Sequence, residues 1–364
     1  MPTTFSPREP ATDAVGRVAG EPVATVVVPA RDEERWIARC LASVLAQGES
    51  RLQVVVVDGG SMDATASIVA EIAARDPRVE LVLHGADSIP GSLNAGLAAA
   101  AARWLVRVDA HSTIPPTYVA SVVGHLETGR WGGVGGRKDA VAETAGGRVV
   151  AAALSSRFGV GNSVYHYGSH ARVVDHVPFG AYPTETLREV GGWDERLAAN
   201  EDYELDYRLR RAGHRLLFDP EIRIAWRCRD SIRDLFRQYV RYGRGKADVA
   251  VLHPSSLKPR HLAPPALVVM LLGGAAVSAV FPVAGLVLAA PYATALAVAV
   301  VTARKVPMWT RVSLPAAFMA MHLGWGVGFL TGLASAIAGR GPRRRGADRR
   351  RRADPADAWE PAVR

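Results

Sequence analysis

Between Arg260 and Arg304 run 43 residues without a single Asp, Glu, Lys or Arg. Such a stretch exceeds the ordinary globular helix of about 8 to 20 residues, while about 20 uncharged apolar residues suffice to cross a bilayer core. Phe281 and Pro282 divide it with almost no polar loop. Two helices over residues 262–280 and 283–303 are therefore expected, joined as a tight hairpin. A third charge-free segment covers residues 312–338. Residues 258–339 read as a membrane region with two to three hydrophobic helices, and the chain as a multi-pass protein of the cell membrane.

The net charge of +9 belongs to this end of the chain. Residues 258–339 carry +5, residues 340–364 a further +5 through nine Arg, and residues 1–257 sum to −1. A nucleic-acid-binding protein needs a basic face, which the N-terminal part has no surplus to build, so no nucleic-acid partner is expected. Lys258, Arg260, His261 and the arginine-rich tail suit anionic membrane lipids instead. Orientation carries a conflict. With the N-terminal domain cytoplasmic, three full spans keep Arg304, Lys305 and Arg311 inside but send the eight arginines of residues 340–352 outside, against the positive-inside rule. A re-entrant or interfacial segment would remove the conflict. Residues 312–338, with Gly324, Gly326, Gly328, Gly332, His322 and Trp325, are expected to be that irregular piece.

Upstream the pattern changes to that of an α/β domain. Valine-rich runs at residues 26–28, 54–57, 79–83 and 104–108 have the continuous apolar character of strands buried on both faces. Segments with helical spacing separate them, one after Ser61 or Asp63 as N-cap. In such parallel sheets ligands bind where the strands end. A helix over 200–212 stopped by Gly213, a strand pair around 215–226 and a helix over 231–242 are expected to complete a domain over residues 22–257. Residues 1–21 and 340–364 read as disordered tails. Cys40 and Cys228 are expected as buried thiols.

The strand ends hold the acids. The first gives Pro29, Arg31, Asp32, Glu33 and Glu34, the second Asp58 and Asp63, and the fourth Asp109 and His111. Residues i and i+2 leaving a strand point the same way, so Asp109 and His111 can converge on one cation, Mg2+ or, with an imidazole present, Mn2+. Solvated loop polarity explains that spacing equally well. Neither G-x-G-x-x-G nor G-x-x-x-x-G-K-[ST] occurs, which removes the dehydrogenase and P-loop readings. Glu201, Asp202, Glu204 and Asp206 crowd one helix start, either as complements to the helix dipole or with one carboxylate as a general base.

Seven motifs in order, V-V-V-P-A-R-D-E-E (26–34), V-V-D-G-G-S-M-D-A-T (56–65), L-N-A-G (93–96), R-V-D-A-H-S (107–112), G-G-W-D-E (191–195), N-E-D-Y-E-L (200–205) and Q-Y-V-R-Y-G-R-G-K (238–246), resemble the family 2 glycosyltransferases, within them the ExoA-like membrane group of succinoglycan biosynthesis. The resemblance covers about residues 23–253 and implies a GT-A fold, a Rossmann-like mixed sheet, followed by C-terminal transmembrane helices. It implies that Pro29, Arg31 and Glu33 shape the uridine and ribose pocket and that Asp58 bonds the base. Asp109, with His111, would approach the donor diphosphate through a divalent cation, Mn2+ or Mg2+. Asp202 would deprotonate the acceptor hydroxyl, supported by Glu201. The implied activity is inverting transfer of one sugar from a nucleotide-sugar donor, UDP-linked, to a lipid-linked (polyprenyl diphosphate) or membrane-proximal glycan acceptor in exopolysaccharide biosynthesis.

Three departures qualify this. Asp32 stands where the family usually has Asn, and His111 replaces the second Asp of Asp-x-Asp, as in the ExoA-like group. Gln-x-x-Arg-Trp, the mark of processive synthases, is absent, with Gln238 and Arg241 near its place. Single transfer is thus favoured, with Gln238, Arg241 and Arg244 as candidate diphosphate or acceptor contacts; ordinary helix polarity also accounts for them. His111 also keeps open a rival reading, a non-catalytic membrane scaffold that binds nucleotide sugar.

Overall fold

The four valine-rich runs become four strands, β1 (Ala24–Ala30), β2 (Leu52–Asp58), β3 (Val79–Leu83) and β4 (Trp104–Arg107), all parallel in the order β3-β2-β1-β4. Helices α1 (Ile37–Leu45), α2 (Thr65–Ala73) and α3 (Ile89–Ala99) make the crossovers. The computed structural model describes residues 21–85, 88–304 and 306–342. The expectations for residues 1–20, for Lys305 and for the tail beyond residue 342 lie outside the described residues.

Past β4 the sheet turns mixed. The elements are β5 (Ser112–Thr113), α4 (Tyr118–Glu127), β6 (Gly133–Val141), α5 (Ala145–Leu154), α6 (Arg157–Val160), β7 (Arg172–Val174), β8 (Ala181–Pro183), α7 (Thr184–Glu189), α8 (Glu201–Arg211) and β9 (Leu216–Arg227). β8 joins β4 antiparallel, and β6, β9 and β5 continue the sheet. The expected strand pair around 215–226 is one strand, β9, parallel to β6. Its register steps from Gly136 opposite Asp219 to Arg137 opposite Arg223, so residues 220–222 bulge out, with Pro220 removing a ladder donor. The turn residues there make a bulge, and the chain does not reverse.

Packing divides the chain into two units, and the division does not follow chain order. The first holds the sheet with α1–α4, α7 and α8. Its core brings Val27, Leu93, Leu105, Trp193 and Leu205 together, so β1, α3, β4 and α8 share one apolar centre. The second comprises Ala142–Gly161, Arg196–Glu201 and the chain from Cys228. It contains α5, α6, α9 (Ile232–Leu252), α10 (Ala263–Ser278), α11 (Pro282–Thr302) and α12 (Met308–Ile337).

α9 runs ten residues past the expected end at Tyr242, through Gly243 and Gly245. Both glycines serve close approach. A Cβ on Gly243 would strike Trp325 O on α12, and one on Gly245 would strike Ala199 O. α12 is one continuous helix of 30 residues, unbroken through the segment 312–338 expected to lie re-entrant or in the interface. Its glycines leave the helix unbroken because they face neighbours: Gly324, Gly328 and Gly332 lie against Phe236, Val240 and Arg244 of α9, and Gly326 against Pro264 of α10.

α11 and α12 are long and apolar enough to cross a membrane, while α10 has only 16 residues. The two differ in surroundings. None of the most apolar window of α11 is buried in the protein, whereas half of that of α12 is. The helix beside α12, α9, carries Arg233, Arg237, Arg241 and Arg244 on its exposed side. At a bilayer centre each Arg costs roughly 2.5–3.5 kcal/mol.

Candidate functional site

The loops leaving β1 and β2 are laced together. Asp32 N donates to Ser61 Oγ at 3.0 Å while Asp32 Oδ1 accepts from Met62 N at 2.8 Å; Glu33 N donates to Thr65 Oγ1 at 2.7 Å; Glu34 N donates to Asp63 Oδ2 and Glu34 Oε2 accepts from Ala64 N, both at 3.0 Å. Asp32 has φ +54°, a left-handed conformation that Asn and Asp tolerate better than other non-glycine residues. That explains why Asp can stand in the usual Asn position. Asp58, paired with Ala30 at the end of β2, is buried, and Ser61 donates to it through both its amide (3.0 Å) and its hydroxyl. Pro29 is half-buried beside Val57, and Arg31 is exposed. Asp63, not Ser61, serves the start of α2, accepting from Thr65 N at 2.9 Å.

His111 Nδ1 lies 2.9 Å from Glu33 Oε1. A carboxylate only accepts, so in the neutral imidazole the proton sits on Nδ1 and Nε2 is the nitrogen open to a ligand. Glu33, expected in the ribose pocket, thus orients His111. Asp109 receives Arg107 Nε at 2.9 Å. Burial pushes its carboxyl up, but the charges of Arg107, His111 and Lys138 outweigh burial and hold it below the usual carboxylate range. Lys138 is fixed nearby over the rings of Trp226 and Phe179, 3.8 and 4.5 Å from their centroids.

Asp202, near the start of α8, is joined by hydrogen bonds to three of the other six motifs. Its Oδ1 accepts from Arg107 Nη1 at 2.5 Å and from Trp193 Nε1 at 3.0 Å. Trp193 N donates to Asn94 Oδ1 at 2.8 Å, and Asn94 Nδ2 donates to Trp193 O and Glu195 Oε1 at 2.9 and 2.8 Å. Gly192, at φ +63°, has no room for a Cβ against Asn94 Oδ1. A path of hydrogen bonds therefore runs Asn94, Trp193, Asp202, Arg107, Asp109.

The other acids of α8 divide by partner. Glu204 holds Arg208 with two bonds of 2.7 Å, and Arg208 reaches on to Val190 O and Gly192 O. Asp206, fully buried, accepts from His176 Nδ1 (2.7 Å), Val177 N (2.8 Å) and Tyr182 Oη (3.1 Å), and burial pushes its carboxyl up. These two fasten the helix, while Asp202 is tied through Arg107 to the strand-end acid Asp109. Sequence reading missed Arg107, Trp193, Asn94 and Asp206 as site-building residues. The available signal was Arg107, a charge inside an apolar strand on the same face as Asp109.

In the second unit, Glu201 is buried. Asn200, at φ +63°, donates from Nδ2 to Tyr242 O at 2.8 Å. Gln238 is buried and donates to Tyr242 Oη at 3.0 Å, while Arg241 and Arg244 are exposed on α9. Among the described residues no group of three or more His, Cys, Asp or Glu is disposed to hold a metal ion unaided. Asp109 and His111 are nonetheless a suitable pair for a cation whose remaining ligands are diphosphate oxygens, since the Glu33 contact is the carboxylate support usual behind a ligating His.

The model of Glycosyl transferase family 2 matches residues 25–159, and that of Glycosyl transferase family group 2 matches residues 104–331. Over 283 residues, 76% of this chain and 84% of the other, the sequence is 31% identical to the succinoglycan biosynthesis protein ExoA of Rhizobium meliloti (strain 1021). The chain belongs to the family 2 glycosyltransferases. This glycosyltransferase is also 28% identical over 251 residues to the Pre-mycofactocin glycosyltransferase of Mycobacterium tuberculosis (strain ATCC 25618 / H37Rv), covering 68% of this chain and 52% of that one. A mannosyltransferase from Pyrobaculum calidifontis, solved in complex with GDP-Man and Mn2+, matches with a TM-score of 0.56 at 21% identity, over 84% of this chain and 88% of that chain. The mixed sheet of the glycosyltransferase is therefore of the GT-A type, as the motifs implied.

Proposed function

We propose that this glycosyltransferase moves a single sugar, with inversion, from a UDP-linked donor to a lipid-linked acceptor such as a polyprenyl diphosphate glycan, at the cytoplasmic face of a membrane and in polysaccharide biosynthesis. The similarity to ExoA supports the pathway class. The apolar helices support the acceptor class, because a site tethered at the bilayer meets acceptors confined there, and the basic flank adds about 1 kcal/mol per cation of attraction to anionic lipid.

One observation carries the chemistry: the Asp202 carboxylate, oriented by Arg107 and Trp193. In the reading this supports, Asp202 takes the proton of the acceptor hydroxyl as its oxygen bonds to the anomeric carbon. The bond from that carbon to the diphosphate breaks, and the nucleoside diphosphate leaves with the electron pair. A single displacement inverts the centre. Pro29, Arg31 and Asp58 border the nucleoside side, while Gln238, Arg241 and Arg244 remain candidates for diphosphate or acceptor contacts and Glu201 for support of Asp202. Asp109 and His111 would hold the divalent cation, which when bound supplies positive charge to the diphosphate. The contact with Glu33 weighs against the scaffold reading, since in its neutral form the oriented His111 would offer Nε2 to a cation.

The test uses enzyme purified in detergent, a panel of labelled nucleotide sugars and total membrane lipid as acceptor. One donor should label the lipid fraction, and Asp202→Asn should lower turnover by about 10²- to 10⁴-fold. Near-normal turnover of that variant would remove the assignment, and no transfer or donor hydrolysis with any sugar would favour the scaffold.

A further inference from the structure

The helices α10 and α11 form an antiparallel pair closed by small residues. Gly274 lies against Leu288, and Gly285 against Ser278 and Gly274 O. The turn between them, residues 279–281, is wholly apolar and outward: Phe281 is 65% exposed, and Leu286 on the returning helix 72%. A turn emerging into water on the far side of a membrane would leave that apolar surface wet. α10, at about 1.5 Å per residue, is about 24 Å long, short of a hydrocarbon core of about 30 Å.

Cations stand at both open ends of this pair, Lys258 and Arg260 before it, Arg304 and Arg311 after it. The next helix, α12, is held by protein: α9 lies along Gly324, Gly328 and Gly332, and His322 bonds Phe158 O at 2.9 Å and Tyr292 Oη at 3.0 Å. The exposed arginines of α9 beside it belong in water or among headgroups, not in hydrocarbon.

We infer that α10 and α11 form a re-entrant hairpin that enters and leaves the bilayer through one leaflet, with residues 279–283 ending inside the hydrocarbon, and that α12 does not cross. The occupant of this apolar surface is lipid acyl chain. All the basic segments then lie on one side, the arginine-rich tail included, and the conflict with the positive-inside rule disappears. The multi-pass expectation is replaced by a one-sided attachment. This inference rests on the membrane association proposed above.

Single cysteines test it cleanly because the native Cys40 and Cys228 are both buried. Val280→Cys at the turn, Ala362→Cys in the tail and Leu83→Cys as a marker of the sheet domain are treated with a membrane-impermeant maleimide in membrane vesicles of both orientations. Leu83→Cys and Ala362→Cys should label from the same side, and Val280→Cys from neither until detergent is added. Labelling of Val280→Cys from either side of intact membranes, or of Ala362→Cys from the side opposite Leu83→Cys, overturns the inference. Recovery of the full chain in the soluble fraction would instead overturn the membrane association, so the two failures are distinct.

Discussion

Arg107 Nη1 lies 2.5 Å from Asp202 Oδ1, across 95 positions of sequence, and the same guanidinium holds Asp109 from the other side. Arg107 is buried and the Asp109 and Asp202 side chains are only 16% and 13% exposed, so removing it strands two acids in a poorly solvated place. Loss of one partner of a buried pair costs about 3–5 kcal/mol. Arg107→Met should therefore reduce turnover at least as much as it reduces stability, and Arg107→Lys should recover only part, because one ammonium cannot reproduce the two-sided fork. The double variant with Asp202→Asn should lose much less than the two single losses combined. Additivity in kcat to within about 0.5 kcal/mol would mean that the two residues are not coupled.

A second expectation concerns Glu33. If its carboxylate orients His111 toward a cation, Glu33→Gln should raise the Mn2+ or Mg2+ concentration needed for half-maximal transfer by about 10- to 100-fold. Excess chelator should abolish wild-type activity, with either ion restoring it. Full activity in chelator would remove both Asp109 and His111 from any metal role.

His166 supplies a pH test of stability. Burial, and then the charge of Lys138, push its imidazole down to about 3, from an ordinary value near 6.5. As pH falls below that ordinary value the unfolded chain gains a proton that the folded chain refuses until about pH 3, so the folded state loses stability throughout the window between. The slope contributed by this one residue approaches about 1.4 kcal/mol per pH unit. Melting of the detergent-solubilised protein between about pH 7 and about pH 4 should fall less steeply in His166→Asn than in the wild type. Parallel curves would show that His166 contributes nothing to the acid limb.

Two glycines should respond in opposite directions. A side chain on Gly328 runs into Val240 O, so Gly328→Val should destabilise by about 1–3 kcal/mol or more. Gly124, inside α4 with nothing within reach of a Cβ, should gain about 0.5–1 kcal/mol on change to Ala. Equal melting temperatures for the two variants would contradict the packing of α9 on α12.

The parts of the fold visible in the sequence are those written in local pattern. The valines of β1 and β2, the periodicity of α1 and the stop at Gly213 need no distant partner to be read. β9 was harder because Pro220 and its neighbours look alike in a turn and in a bulge, and only the β6 ladder separates the two. In α8, the spacing of Glu204 and Arg208 makes a readable i,i+4 pair, whereas nothing near Asp206 announces His176 or Tyr182. The path from Asn94 through Trp193 and Arg107 was invisible for the same reason: a hydrogen bond across about a hundred residues leaves no periodic trace. Motifs in order named the candidate residues, and the fold supplied the bonds between them.

The hydrogen bonds between the loops after β1 and β2 bear on what a nucleotide would encounter there. Asp32, Glu33 and Glu34 are fastened to Ser61, Met62, Asp63, Ala64 and Thr65 by hydrogen bonds within the protein. The entropy of ordering this floor is lost when the chain folds, not when the donor arrives, so binding energy that a mobile loop would consume in freezing remains in the affinity. If the donor nucleotide binds on this floor, as proposed, a substitution that unstitches it, such as Thr65→Val, would weaken that binding through the loop alone.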